Sequence, residues 1–144
     1  MFCRLAKQQV IVLRANKASI SISLFFAGYA FAPASFLMGI DFSECHTVGR
    51  LLGIKTVANE FIAYRELGLL IKANELSARS ATIATYALCG FANPGSIGVQ
   101  LATLGSLAPQ RKGDVSKVIF RAFVAGNVAC FLTACIAGAL LDSP

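Results

Sequence analysis

Residues 80–110 carry no charged side chain, yet the run is cut by Gly90-Phe91-Ala92-Asn93-Pro94-Gly95-Ser96. An uncharged stretch of this length is the mark of a segment that crosses a bilayer, because a spanning helix needs ~20 apolar residues. Glycine and proline so close together unwind a helix, glycine by its backbone entropy and proline by its missing N–H. Each side of the cut is only about half a span. The run therefore reads as one crossing segment broken at its middle. Composition agrees: hydrophobic residues are 56% and charged residues 14%, where a soluble domain carries roughly 25% charged. The apolar excess must face lipid or other apolar protein.

The rest of the chain divides around this segment. Residues 1–22 form a basic amino-terminal segment without an assignment. Its apolar stretch, Val10 to Leu13, lies between Arg4, Lys7, Arg14 and Lys17 and is too short to span. Residues 20–40 are uncharged but contain Pro33, which breaks or kinks a helix. Three readings compete there: a kinked span or a helix lying at the interface, over about 23–40, or a secretory signal ending near Ala32-Pro33-Ala34. Residues 41–76 are mixed, and two short helices flank Thr56-Val57-Ala58-Asn59-Glu60. Half-length helices meeting at a polar tip predict a re-entrant hairpin over about 43–75, with the broken helix over about 77–108. Gln110-Arg111-Lys112-Gly113-Asp114 is a short basic loop, placed on the cytoplasmic side by the usual Lys/Arg bias. A last span follows over about 115–141. In it Gly126, Cys130, Ala134 and Gly138 recur every fourth residue as a stripe suited to close helix packing. The fold class expected is all-α: a polytopic membrane protein with a re-entrant helical hairpin, a discontinuous transmembrane helix and a final transmembrane helix.

Several function classes recede on the same reading. The net charge of +6 comes from basic residues scattered between apolar runs, with no patch or motif for nucleic acid. Five cysteines form no Cys-x-x-Cys pair, and His46 is the single histidine, so neither a zinc site nor a disulfide framework is indicated. No nucleophile stands with a base and no phosphate loop appears, so no enzyme is expected.

What remains is a polar constellation at the helix breaks. Broken helices free backbone groups that hydrocarbon cannot satisfy, and secondary transporters place binding sites at such breaks. Glu60 is the sharpest residue: an ionised carboxylate offers two acceptor oxygens, which suits neighbouring hydroxyls such as those of a ribose. Its alternative is a solvated carboxylate paired with Lys55 or Arg65. Asn93 and Ser96 can each donate and accept; their alternative is to cap the freed helix ends. Phe91 can stack on a ring or simply face lipid.

Gly53-Ile54-Lys55-Thr56-Val57-Ala58-Asn59-Glu60-Phe61-Ile62-Ala63-Tyr64 resembles the hairpin of the concentrative nucleoside transporters. Ile83-Ala84-Thr85-Tyr86-Ala87-Leu88-Cys89-Gly90-Phe91-Ala92-Asn93 with Gly95-Ser96-Ile97-Gly98 resembles their broken helix, and Ala108 to Lys112 and Ala134 to Gly138 resemble their last loop and span. The resemblance runs from about Tyr29 to Gly138 and marks residues 23–144 as a carboxy-terminal nucleoside transporter domain. It implies a sodium- or proton-coupled nucleoside symporter, a homotrimer in the plasma membrane, with nucleosides and the lipid bilayer as partners, no cofactor and no nucleic acid. It implies that Glu60, Asn93 and Ser96 bond the ribose and that Phe91 lines the same site.

Two departures stand beside it. Pro94 occupies a position where that family usually has a larger apolar residue, and proline confines the preceding residue to extended backbone, which bears on where Asn93 and Ser96 sit. The first hairpin and its partner broken helix, to which the resemblance assigns the nucleobase contacts and the sodium site, have no counterpart here. The chain is thus expected to be the carboxy-terminal part of a transporter, as a fragment, a truncated gene model or a splice form. The alternative is a non-transporting fragment that associates with full-length subunits through the small-residue stripe.

Overall fold

The computed structural model describes the backbone of residues 17–141 and the side chains of residues 26–141; most of the basic segment read at residues 1–22 lies outside them. Every regular element among the described residues is helical. Six α-helices follow in order: α1 (Lys17–Leu37), α2 (Phe42–Val57), α3 (Glu60–Lys72), α4 (Ala78–Leu88), α5 (Pro94–Leu107) and α6 (Lys112–Leu140), with a 3-10 turn at Pro109–Arg111 before the last.

α1 runs through Pro33 without ending. Proline removes one rung of the ladder, the bond to the carbonyl four residues back, and the helix continues, packed along α2. Two residues further on, the Ser35 hydroxyl donates to Phe31 O at 3.1 Å. The chain then reverses at Gly39, whose φ of +90° is one that residues with a Cβ rarely adopt. α2 returns along α1 at close range. A Cβ on Gly49 would collide with the Gly28 carbonyl oxygen, and one on Gly53 with the Cβ of Ala27. Small residues at this crossing set the interaxial distance.

The core lies where α2, α3 and α4 converge. Val48, Leu51, Leu52 and Ile54 of α2, Ala63 and Leu67 of α3, and Ile83, Ala84, Ala87 and Leu88 of α4 are all buried. At the outer end of this layer Glu44, in the first turn of α2, accepts from Ser77 N at 2.8 Å and from the Ser77 hydroxyl at 2.9 Å. Ser77 is itself the N-cap of α4. Partial burial pushes the Glu44 carboxyl up, but bonds from Ser80 and Ser77 outweigh it and hold the group below its ordinary value. A carboxyl lowered on folding adds stability that is present at neutral pH and lost as pH falls through the lowered value. Acidification from pH 7 should therefore lower the melting temperature in detergent more for the unsubstituted protein than for Glu44→Gln.

α6 has two faces. Its inner face is the small-residue stripe: a Cβ on Gly126 would touch Ala92, the Cys130 thiol donates to Cys89 O at 3.0 Å, Ala134 is fully buried, and Gly138 lies against Ile83. The stripe is thus spent inside the chain, on α4 and the segment after it. The outer face carries Phe120, Val124, Val128, Leu132, Ile136 and Leu140, all exposed. With the 3-10 turn, the helix is continuous over Pro109–Leu140, 32 residues, and its most apolar 18-residue window has a mean hydropathy of 2.0. At 1.5 Å per residue the whole helix exceeds the ~30 Å of a hydrocarbon core. Arg111, Lys112 and Asp114, read from sequence as a loop, instead form the 3-10 turn and the first turn of α6. α5 packs on α6 and buries none of its own residues.

Candidate functional site

Two helices start at the same place. Asn59 ends the link from α2 in extended backbone, and its side chain accepts from Ile62 N at 2.9 Å, capping α3. Glu60 is therefore the first residue of α3, where the partial positive charge of a helix N-terminus complements a carboxylate. Across from it the broken segment ends at Asn93. This residue is also extended, and its Oδ1 accepts from Ser96 N at 2.9 Å, capping α5. The cap engages Oδ1 and so turns Nδ2 outward; Nδ2 donates to Glu60 Oε2 at 2.7 Å. Glu60 is 7% exposed and Asn93 4%. The two sequence readings of Asn93, cap and polar contact, are thus both realised, one by each end of the amide.

Glu60 takes neither alternative partner. Among the described residues the one ion pair within 4.0 Å joins Lys117 to Asp114. Ser96 enters through its backbone N–H, at the rim of the site. Phe91 is 63% exposed, and its ring meets that of Phe61 edge-on at 6.4 Å between centroids. Because Phe61 follows Glu60 and Phe91 lies two residues before Asn93, this aromatic pair flanks the carboxylate–amide pair. A crevice of about 210 Å³ opens on the α6 side of the break, lined by Phe91, Ala92, Ile97, Gln100 and Phe123 among others, without a residue from α2 or α3.

Pro94 does not displace these groups. It is the first residue of α5, a position where its missing N–H has no helical partner to lose and its fixed φ suits the helix. The extended backbone it imposes on Asn93 is the backbone an N-cap needs.

Sequence reasoning missed how the break itself is held. The last four carbonyls of a helix lack partners within it. In α4 these belong to Thr85, Tyr86, Ala87 and Leu88. Tyr86 O and Leu88 O accept from the backbone N–H groups of Cys89 and Gly90, at 3.1 and 2.9 Å. Thr85 O accepts from the Tyr64 hydroxyl at 2.8 Å, and Ala87 O from Lys55 Nζ at 3.0 Å. Beyond the helix end, Ala92 O accepts from Asn127 Nδ2 at 3.4 Å. Side chains of α2, α3 and α6 thereby complete an end that α4 cannot complete alone.

One consequence concerns Asn93→Ala. It should cost about 1 kcal/mol through the lost cap and also strip Glu60 of its buried donor. The melting temperature in detergent should fall with helix content preserved; an unchanged melting temperature would show that the cap and the Glu60 contact add nothing to stability.

A short helix pair and an interrupted helix converge on a buried carboxylate, beside a long apolar helix. Comparison with known proteins specifies the class. Residues 6–138 match the family described as Na+ dependent nucleoside transporter C-terminus. Solute carrier family 28 member 3 of Mus musculus is 46% identical over 142 residues, covering 90% of this chain and 20% of the mouse protein. Sodium/nucleoside cotransporter 1 of Rattus norvegicus is 43% identical over 125 residues, covering 78% of this chain and 19% of the rat protein. The structure of CNTnw in an inward-facing substrate-bound state superposes with a TM-score of 0.86 at 33% identity, over 95% of this chain and 36% of that one. The chain belongs to the concentrative, sodium-dependent nucleoside transporter family and corresponds to its carboxy-terminal portion. The match begins at residue 6, well before Tyr29, so the likeness takes in most of the amino-terminal segment that had no assignment. The family is one of integral membrane transporters.

Proposed function

We propose that this segment supplies the ribose-binding half of the substrate site in a cation-coupled nucleoside symporter. The observation that carries the proposal is the buried bond between Glu60 and Asn93 at the meeting of two helix N-termini. A buried carboxylate is costly in an apolar layer and is retained where it does work. With Oε2 held by Asn93, Oε1 is the acceptor offered to a ribose hydroxyl. Asn93 and Ser96 supply the neighbouring polar groups, and Phe91 flanks the sugar.

α2 and α3, of 16 and 13 residues, are shorter than the ~20 residues that a span needs. They act as a re-entrant hairpin whose tip, Ala58-Asn59, reaches the bilayer interior. α4 and α5 together make one interrupted crossing, and α6 the last. The nucleobase contacts and the site for the coupling cation, sodium or proton, belong to parts of the transporter outside these residues. The assembly is a homotrimer in the plasma membrane. The competing reading, a non-transporting fragment that docks on full-length subunits, drew on the small-residue stripe of α6, and that stripe is already packed against α4.

The test grafts this segment in place of the corresponding part of a full-length relative. Inward sodium or proton gradients should then drive uridine accumulation above the external concentration, and the segment expressed by itself should not concentrate uridine. A chimera that inserts normally yet takes up no nucleoside would contradict the proposal.

A further inference from the structure

Lys55 is fully buried, although its side chain ends in an ammonium. Burying an ammonium costs several kcal/mol unless hydrogen bonds and an opposite charge compensate. Its Nζ donates to Ala87 O at 3.0 Å and lies 5.8 Å from the centroid of the Phe131 ring. Glu60 is within electrostatic reach, although no ion pair with it forms. The ammonium therefore joins three elements: it leaves α2 five residues before Glu60, binds the end of α4 six residues before Asn93, and rests on α6. A donor to a free carbonyl at a helix end does there what a cap does, and an ionised donor does so about twice as strongly as a neutral one.

We propose that Lys55 is a positioning residue for the ribose site, fixing the distance between the hairpin carboxylate and the amide at the break by clamping α2 to the end of α4. This rests on the reading of Glu60 and Asn93 as ribose ligands. The clamp acts on the pair that reads the sugar hydroxyls and on nothing that touches the base. Its loss should therefore fall on discrimination between a ribonucleoside and its dideoxy analogue.

The experiment uses the full-length chimera carrying this segment and compares apparent affinities for uridine and 2′,3′-dideoxyuridine, normalised to protein in the membrane. Lys55→Met and Lys55→Gln should each reduce the preference for uridine by about tenfold or more, the effect of losing one hydrogen bond to a charged group. Lys55→Arg, which keeps charge and donors, should stay within about threefold of the unsubstituted chimera on the same scale. Unchanged discrimination in either neutral variant overturns the proposal. So does failure of both neutral variants to reach the membrane while Lys55→Arg reaches it, which would leave Lys55 a role in folding alone. Glu60→Ala, which leaves no acceptor, distinguishes failure of the clamp from failure of the ribose reading. If it abolishes discrimination while the Lys55 variants retain it, the ribose reading stands and the clamp falls. If it too leaves discrimination intact, the ribose reading itself falls.

Discussion

Glu60→Ala, placed in the full-length chimera, should reduce the uptake ratio kcat/KM for uridine by about 100-fold or more, with the protein still inserted. Truncating one partner of a buried, hydrogen-bonded charged group costs roughly 2–5 kcal/mol. Here the loss has two parts. The acceptor proposed for the sugar disappears, and Asn93 Nδ2, 2.7 Å from Oε2 and buried with it, is left without its acceptor. An unsatisfied buried donor alone costs about 1–3 kcal/mol. Glu60→Gln keeps one acceptor oxygen and should lose less. Radiolabelled uridine uptake in transporter-null cells reads both; uptake and apparent affinity unchanged in Glu60→Ala would remove Glu60 from the site.

The second large effect is on folding. Gly49→Ala should lower stability by about 3 kcal/mol, at the upper end of what overpacking causes, because the new methyl would meet main chain and not a side-chain tip. Gly28 O and Ala32 N of α1 lie in its path, so α1 and α2 must separate along their shared face. Since α2 carries Lys55 and leads into Glu60, the variant should also transport poorly wherever it inserts. Gly68→Ala is the control. Nothing lies within 4 Å of its Cβ position, and in the middle of α3 alanine should add about 0.5–1 kcal/mol relative to glycine. Melting temperatures in detergent should fall for the first and hold or rise for the second. Equal behaviour would contradict the close crossing.

Glu60 and Asn93 were legible in the sequence because each is costly where it stands: a carboxylate between apolar helices, and an amide beside glycine and proline in an uncharged run. The break was legible for the same reason. It read at residues 90–96 and is found at 89–93, because Pro94 opens α5 and so ends the interruption sooner. Lys55 and Tyr64 were not. Each donates to a main-chain carbonyl, 32 and 21 residues away along the chain, and a carbonyl has no residue type to betray it. Lys55 read as one charge among several, whereas the fold gives it a buried main-chain acceptor. Pro33 and Pro94 show context deciding the effect of one residue type. Inside α1 a proline costs one hydrogen bond in a helix already held on α2; at the start of α5 it costs none. The four-residue spacing of Gly126, Cys130, Ala134 and Gly138 announced a tight contact, but only the fold identifies α4 and the break as the other side.

The claim on which all this depends is that a sugar is bound where α3 and α5 begin. The most direct measurement is the structure of the full-length chimera with uridine bound. The ribose hydroxyls should lie within hydrogen-bonding distance, about 2.5–3.2 Å, of the Glu60 carboxylate and of the Asn93 side chain. Uridine seated elsewhere, with the Glu60–Asn93 bond intact and no hydroxyl near it, would contradict the account.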